Sequence, residues 1–524
     1  MKECSNTTGQ YLFTVFEKIC DENGLDWKHY LVGQSYDGAS NMRGTYQGVQ
    51  SLIKSFNPAA TYVWCYAHRL NLVLTDAVSC SSNAKDMFGI VEVIYEFISS
   101  SKNRVAIFEN YQKTLYPGKQ IKRFKRVQTT RWWSHDLALR TVVSTFDALI
   151  ETLTVIEEKC GSNDRKSAFH ARSLRESIIS DRFLLTALTY IEIFDIITPL
   201  SNILQAKDMD LLGAVDSVFK SIDTLQKIRN DSKFTGIINE LKEFKNNSTL
   251  NIEDFKPLQM NRKKVVPRMY DEKSLDDAID EPLKNFKVNT FYCAIDLTLT
   301  QMKDRFSDIS TGIFKDLSLF SRRRIKEIAN DTSKLPSDAF LIFSSVYEKF
   351  VDRSDLIREY IQFSKCYFDF EKNKFLPTQL HSEKKKKKIE ALDENYESDT
   401  SDEHDNDLLL TNNQVEIIGS TLPTNGTSMA IVFQVLLISG LSTVFPSLHI
   451  ALKISLTLPV ASVTTERSFS KLSIVKNKLR STMNEDRLDS LMIIACEPDI
   501  HINNDDIINE FSTSSPLLLN ALGR

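Results

Sequence analysis

The chain has 524 residues, 42% of them hydrophobic and 26% charged, which is typical of a globular protein of about three domains with a sizeable core. Its 16 glycines and 13 prolines exclude collagen-like and glycine-proline-rich disordered proteins and favour a mainly helical chain. The formal net charge of −4 provides no overall attraction to nucleic acid, so such a contact requires a local basic patch.

The cysteines and the apolar stretches indicate the compartment. The eight cysteines are spread singly, without a Cys-x-x-Cys pair, which favours a reducing environment. The N-terminal segment MKECSNTTGQ lacks the apolar core of a signal peptide. The longest apolar stretch, about Ala430 to Leu441, is far shorter than the roughly 20 residues that span a membrane. We therefore expect a soluble, intracellular protein without a membrane partner.

The first part of the chain predicts one helix and two strands. Apolar residues recur at three- and four-residue spacing over residues 9 to 24, which predicts an amphipathic helix. Tyr30 to Val32 begin a strand that ends at the Asp37-Gly38 turn, and Thr61 to Trp64 form a second strand. The chain should become helical again near His68.

A long helical region follows, from about residue 84 to 370. A polar patch from Asn246 to Lys284 predicts a loop between helical blocks. The helices predicted from apolar periodicity cover Phe88 to Phe97, Leu137 to Ile156, Phe183 to Leu204 and Val215 to Ile228.

Residues Ser382 to Asp407 predict a disordered linker, because this charge-rich, aromatic-poor segment has too little apolar surface to order itself. It begins with five consecutive lysines, Lys384 to Lys388. Two interpretations of these lysines are open: a solvated linker, and a nuclear-import signal. The second interpretation places the protein in the nucleus.

The chain regains a core-like composition from about residue 428, where two helices are predicted, Glu466 to Leu479 and Glu485 to Ala495. Each has an apolar face that requires a partner: the N-terminal sheet, a second copy of the chain, or both. The residues on these faces are Phe469, Leu472, Val475 and Leu479 in the first helix, and Leu488, Leu491 and Ala495 in the second.

Four segments carry a specific resemblance. The string LVGQSYDGASNMRG, followed by WCYAHRLNLV, resembles the hAT superfamily of DNA transposases, and within it the zinc finger MYM-type protein 1-like proteins. The segment LTLPVASVTTERSFSKLSIVKNKLRSTMNEDRLDSLMIIA resembles the hAT family C-terminal dimerisation region. Between them, TTRWWS and LSNILQAKDMDLLGAV resemble the helical insertion of that family. The matches occur in the family's order and cover most of the chain.

The resemblance implies an α/β plus all-α fold: a ribonuclease-H-like core that lacks its first strands and is interrupted by a large helical insertion, mostly helical overall. The implied division places the N-terminal part of the core in residues 1–80 and the insertion in 81–381. The linker then occupies 382–407, and the dimerisation region, which completes the core, occupies 428–500.

The resemblance also implies a catalytic unit of two aspartates and one glutamate that hold two Mg²⁺ or Mn²⁺ ions. Asp37 matches the second aspartate, and Glu466 matches the glutamate. Each also has a structural interpretation: Asp37-Gly38 is an ordinary turn pair, and a first-turn glutamate is favoured by the helix dipole.

The family's first catalytic aspartate and its zinc-finger domain lie upstream of the segment that MKECSNTTGQ resembles. We therefore expect Asp37 and Glu466 to be vestigial, with no cofactor and no transposase activity. An active DDE-type DNA transposase or nuclease using Mg²⁺ or Mn²⁺ is the alternative if the native chain extends upstream.

Two segments predict contact with DNA. Cys65-x2-His68 has zinc-like spacing, but the sequence has no second Cys or His pair, and the family places this histidine near DNA. A basic segment with Phe124 interleaved precedes Trp132, which in the family supports a flipped base. The alternative is that the tryptophan packs in the core and the cations are solvated. The basic residues are Lys122, Arg123, Lys125, Arg126 and Arg131.

We thus predict an inactive hAT-type transposase derivative that forms a homodimer or higher homo-oligomer, retains DNA binding and has no small-molecule substrate. A helical scaffold that binds other proteins through the insertion is a further hypothesis. The predicted dimerisation residues are Phe469, Leu472, Leu488 and Leu491.

Overall fold

A computed structural model shows a mostly helical protein, as the composition predicts. Within the residues that it describes, the regular elements other than two short strands are helices. The residues that it describes are 6–124, 126, 133–160, 164–206, 209–259, 281–307, 312–372, 429–476, 482–497 and 503–514.

The N-terminal part combines short helices with two parallel strands. Gly33 is opposite Thr61 and Tyr36 is opposite Trp64 in the ladder. The second strand has the predicted bounds, whereas the first begins three residues after Tyr30. Tyr30 instead ends a short helix whose first turn is capped by Asp26, which accepts the backbone N–H of His29 at 3.2 Å. The elements are α1 (Gly9–Glu22), α2 (Trp27–Tyr30), β1 (Gly33–Tyr36), α3 (Ser40–Arg43), α4 (Val49–Phe56) and β2 (Thr61–Trp64).

A small aromatic cluster stabilises this N-terminal part. Trp27 packs edge-on against Phe13, with ring centroids 5.8 Å apart, and Phe56 stacks on Phe13 at 5.7 Å. Ile53 of α4 is fully buried beneath them. The apolar face predicted for the first helix is therefore buried against α2 and α4.

The large core lies in the helical region. The helix predicted from Leu137 to Ile156 is divided at Thr145, whose buried hydroxyl donates to the carbonyl of Thr141 at 2.7 Å, a back-bond that bends helices. The helices are α5 (Tyr66–Val78), α6 (Ser82–Ser99), α7 (Lys102–Leu115), α8 (Trp133–Ser144), α9 (Phe146–Cys160), α10 (Arg165–Ile178), α11 (Asp181–Leu204), α12 (Leu211–Ile228), α13 (Asp231–Asn247), α14 (Pro282–Phe286), α15 (Cys293–Arg305), α16 (Ile313–Leu317), α17 (Arg322–Asn330), α18 (Leu341–Val346) and α19 (Arg353–Lys372).

Helix α11 is the central element of this core. It is long and apolar enough to cross a membrane by length and composition, which corrects the expectation that the longest apolar stretch is Ala430 to Leu441. Of its apolar window, 67% is buried against neighbouring helices such as α6, α8, α12 and α13. Packing in the protein interior accounts for its apolar composition.

The last helices belong partly to the same core. Helices α20 (Met429–Ile438) and α21 (Pro446–Thr457) pack with α17 and α19, and two buried carboxylates fix them. Asp210 accepts the backbone N–H of Ala430 at 3.2 Å, and Glu359 accepts that of Leu448 at 2.9 Å. The predicted linker, 382–407, lies outside the described residues. The helices are α20 (Met429–Ile438), α21 (Pro446–Thr457), α22 (Val463–Val475), α23 (Glu485–Cys496) and α24 (Asn504–Thr513).

Candidate functional site

The carboxyl ends of the two strands meet the segment that leads into α22. The backbone N–H of Cys65 donates to the carbonyl of Tyr36 at 3.1 Å, and that of Tyr66 donates to Val460 at 3.1 Å. The backbone N–H of Ser462 donates to the Sγ of Cys65 at 3.3 Å, across 397 positions of sequence. The two segments that carry Asp37 and Glu466 therefore lie side by side, although the side chain of Glu466 is outside the described part.

This junction requires a glycine at the start of β1. A Cβ on Gly33 would lie 2.9 Å from Cδ2 of Leu458 and 3.2 Å from Cδ of Pro459. Only a residue without a side chain lets the segment before α22 approach β1 this closely.

Asp37 is exposed just after β1, and its Oδ1 accepts the backbone N–H of Ala39 at 3.2 Å. The contact is that of a turn-forming aspartate, so the structural interpretation of Asp37-Gly38 has a physical basis here.

Two guanidinium groups surround Trp64, at the end of β2. The Cζ of Arg43 lies 3.9 Å from the centroid of the indole ring, and that of Arg69 lies 4.9 Å from it. Gly38 packs against the ring, because a Cβ there would lie 3.0 Å from Nε1 of Trp64. The indole is thus held among a glycine turn and two cations, an arrangement favoured by cation–π attraction.

The nearby charged groups influence the pKa of Tyr62. Burial raises the pKa of this tyrosine to about 12, while Arg43 and Arg69 lower the pKa and Asp37 raises it. The hydroxyl is buried without a hydrogen-bond partner. The charged side chains that act on Tyr62 are thus one carboxylate and two guanidinium groups.

Among the described side chains, this set has too few carboxylates for a pair of divalent cations, which take several carboxylate oxygens and are repelled by guanidinium groups. Within the described ranges, no three His, Cys, Asp or Glu side chains form a group that could hold a metal ion. Cys65 is buried, and its Sγ accepts the Ser462 N–H, which favours a structural role for the Cys65-x2-His68 pair. His68 lies half-buried in the first turns of α5.

The basic segment after α7 is fixed to the helical core. Gln112, itself buried, holds Lys122 by two hydrogen bonds of 2.8 Å, to its backbone N–H and carbonyl. Arg123 pairs with Glu109 at 2.7 Å, and the Arg126–Glu92 distance is 3.6 Å. The backbone at Lys122 is therefore anchored to the helical core, and the two arginines are already paired with carboxylates.

Phe124 corrects one expectation for this segment. Its ring is buried and stacks on Phe108 with centroids 4.6 Å apart, so it packs in the core and cannot stack on a base. The predicted DNA-contacting residues Lys125, Arg131 and Trp132 lie outside the described residues.

Helices α22 and α23 form an antiparallel pair. Lys471 donates to the carbonyl of Ala495 at 2.5 Å, and the Sγ of Cys496 lies 3.8 Å from the Ser468 hydroxyl. Leu488 and Met492 are buried on α23. Leu488 therefore supports the pair from within the protomer, and its part in dimerisation stays a prediction.

The comparisons with known proteins bear on these helices and on the strand region. Residues 437–498 match the hAT family C-terminal dimerisation region, and residues 1–48 match the ZMYM1/FAM200, RNase-like domain. This is a hAT-derived, ZMYM1-like protein. The RNase-like match ends before β2, and the dimerisation match includes the last two residues of α20, all of α21 and the α22–α23 pair.

A curated relative of this hAT-derived chain is structural maintenance of chromosomes protein 3 of Caenorhabditis elegans, which is 30% identical over 130 residues. The match covers 24% of this chain and 10% of that protein. The chain thus matches about a tenth of that relative's length.

The dimerisation region of the hAT-derived protein carries exposed apolar side chains. Phe469 is 58% exposed on α22, and Ile493 and Ile494 are 57% and 55% exposed on α23. Leu472 and Leu491 are partly buried. The sequence analysis missed these two isoleucines. They directly follow Met492 on α23 and lie on a different side of the helix from Leu488 and Met492, which indicates a second apolar side.

Proposed function

We propose that this hAT-derived protein functions by self-association through α22 and α23 and does not catalyse transposition. The observation that carries the proposal is the coincidence of the dimerisation match with the exposed side chains of Phe469, Ile493 and Ile494. Exposed apolar residues within a matched dimerisation region are typical of protein–protein contact surfaces.

The energetic argument rests on burial at a subunit boundary. Full burial of a Phe or Ile side chain contributes about 1.5 to 3 kcal/mol, and these three side chains are each more than half exposed in the protomer. In a two-fold symmetric contact the same three side chains are buried in each protomer, so every contribution to the association free energy occurs twice. This gain favours a homodimer over a monomer that leaves the surface in water.

The test measures the oligomeric state of the full chain by sedimentation equilibrium at micromolar concentration. We expect a dimer for the wild-type chain and a monomer for Phe469→Asp/Ile494→Asp. The control is Ile252→Asp, because Ile252 is 59% exposed but lies in the helical region. A wild-type chain that stays monomeric at tens of micromolar overturns self-association.

The absence of catalysis is supported by the charges at the strand ends. Arg43 and Arg69 lie against the Trp64 ring and act, as Asp37 does, on the pKa of Tyr62, and their positive charges oppose the binding of divalent cations there. We expect purified protein with Mn²⁺ to leave a DNA duplex intact. Nicking that Asp37→Ala abolishes and Asp304→Ala preserves would show an active enzyme.

A second candidate function is DNA contact through the basic segment. The anchored backbone at Lys122, beside Arg123 and close to Arg126 in sequence, supports it, because cations on a fixed segment lose little entropy on binding phosphates. Affinity for duplex DNA should fall as salt rises, with a smaller slope for Lys122→Ala/Arg126→Ala. If His68→Ala binds duplex DNA with wild-type affinity, the prediction that His68 contacts DNA is wrong.

Nuclear localisation is part of the same proposal. The five lysines Lys384 to Lys388 would serve as the import signal. Replacing them with glutamine should move a fluorescently tagged chain to the cytoplasm. An unchanged distribution would contradict the assignment.

A further inference from the structure

Two cysteines that are 213 positions apart in the sequence meet where the turn after α5 touches the first residue of α15. The thiol of Cys293 donates to the carbonyl of Cys80, with its Sγ 3.8 Å from the oxygen. Both side chains are partly buried free thiols. The sulfur of Cys293 therefore lies at the backbone of the residue that carries the second sulfur, a proximity that a disulfide bond requires.

Tyr190, in α11, fixes the thiol of Cys80. The hydroxyl of this buried tyrosine donates its one proton to the carbonyl of Ala77 at 2.6 Å. The contact of 3.3 Å between the same hydroxyl and the Sγ of Cys80 is therefore donated by the thiol. The Cys80 side chain is thus held at the junction of α5, α11 and α15.

Helices α5 and α15 pack antiparallel, so the cysteine pair lies at one end of their contact. At the other end, Nη1 of Arg69 donates to the carbonyl of Arg305 at 3.0 Å. Beside this bond, the rings of Tyr66 and Phe306 meet edge to face with centroids 5.4 Å apart. Helix α5 continues from β2, so a covalent bond between the cysteines would tie the strand region to the helical core.

The pair suits oxidation better than metal binding. A structural zinc site takes four ligands, and within the described ranges no three His, Cys, Asp or Glu side chains form a group that could hold a metal ion. Burial, followed by the neighbouring Cys80 thiol and Asp296, raises the pKa of the Cys293 thiol to about 11. Cys293 therefore stays protonated at neutral pH, and we assign the first attack on an oxidant to Cys80.

We propose that Cys80 and Cys293 form a reversible disulfide bond within one chain when the protein meets hydrogen peroxide. The sulfur of Cys80 attacks the O–O bond, takes one oxygen as a sulfenic acid and releases water. The sulfur of Cys293 then displaces that oxygen as a second water and forms the S–S bond. The thiols lose two electrons and two protons in all, and the peroxide is reduced to two waters. A dithiol reductant restores both thiols, so a reducing environment keeps the pair open.

The test treats the folded full chain with hydrogen peroxide, blocks the remaining thiols and digests the protein without reductant. Mass spectrometry should identify a linked pair of peptides that carry Cys80 and Cys293, and dithiothreitol should separate them. Cys293→Ser should abolish the pair and leave the sulfenic acid of Cys80, which dimedone traps. The matched control is Cys366→Ser, at a partly buried thiol of α19 that donates to the carbonyl of Phe363 at 3.3 Å, and it should keep the pair.

Isotope labelling distinguishes a bond within one chain from a bond between copies. A mixture of labelled and unlabelled chains should give linked peptides that are both labelled or both unlabelled. Pairs of mixed label would overturn the inference, because the bond would then join two copies. Recovery of Cys80 and Cys293 as separate peptides after oxidation, as thiols or as sulfinic acids, would overturn it as well.

The effect of the bond on the junction is measured by thermal unfolding of the oxidised and reduced chains. The bond restricts the unfolded chain over 213 positions, so we expect it to raise the transition by roughly 2 °C or more. Addition of dithiothreitol should reverse the shift, and the peroxide-treated Cys293→Ser chain should not show it. A transition that oxidation leaves unchanged in the linked chain would contradict the role of the bond in tying the strand region to the helical core.

Discussion

The hydroxyl of Tyr347 lies 2.9 Å from Oγ1 of Thr61, a residue 286 positions earlier in the chain. The same hydroxyl donates to the carbonyl of Val32 at 3.0 Å, so Thr61 is the donor in the first contact. Both side chains are buried. The Tyr347 hydroxyl, which belongs to the helical region, thus joins the start of β2 to Val32, the residue before β1, and fixes the strands against the helical core.

We predict that Tyr347→Phe lowers the free energy of unfolding by about 1 to 3 kcal/mol, because it leaves the buried Thr61 hydroxyl without its acceptor and removes a bond to Val32. Urea denaturation followed by circular dichroism measures the change. Tyr46→Phe is the control, since Tyr46 is 90% exposed and its variant should match the wild type. Equal stability of the two variants would show that the Tyr347 hydroxyl contributes nothing.

Gly33→Ala should destabilise the junction between β1 and the segment before α22. Its Cβ would lie 2.9 Å from Leu458 and 3.2 Å from Pro459, and overpacking of this kind costs about 1 to 3 kcal/mol. Gly236→Ala is the matched control. Nothing lies within 4 Å of a Cβ at Gly236, inside α13, so alanine there should stabilise the protein by up to about 1 kcal/mol. Thermal melts that move in the same direction for both variants would contradict the prediction.

The sequence predicted the elements better than their contacts. Local periodicity is sufficient for α1, β2 and the long helices, since each has several turns or an alternating run. The bond between Cys65 and Ser462 depends on chain segments 397 positions apart, and no local pattern records such a pairing. On α23 the helix and the side that carries Leu488 and Leu491 were predicted, but the exposed Ile493 and Ile494 were missed, because apolar residues lie on both sides and periodicity does not show which side stays in water.

The strand region should lose stability at alkaline pH. Burial raises the pKa of Tyr36, Tyr62 and Tyr347 to about 12, above the ordinary value of 10.0. A group that holds its proton more tightly when folded contributes stability below its unfolded pKa, and this contribution is lost as the pH rises from about 10 towards 12. Phenolate absorbance should show exposed tyrosines titrating first and these three only with unfolding. Simultaneous titration of all tyrosines in the folded chain would contradict the prediction.

The ion pair of Asp136 and Arg140 gives a prediction for acidic pH, where the loss of stability caused by removing Arg140 should become smaller. Asp136 is buried in α8, and burial raises its pKa, although Arg140 at 2.5 Å and Thr198 at 2.7 Å both lower it. Arg140→Leu removes the cation and leaves a buried carboxylate, which should cost about 2 to 4 kcal/mol at neutral pH.

Because a raised pKa favours the protonated carboxyl in the folded state, the defect of Arg140→Leu should shrink as the pH falls and Asp136 takes up a proton. Urea midpoints of wild type and variant measured from pH 7 towards 4.5 test this. The double variant Asp136→Asn/Arg140→Leu is the control, and its difference from wild type should vary less with pH. A defect of Arg140→Leu that stays constant over this interval would show that Arg140 acts through packing of its aliphatic stem and not through its charge.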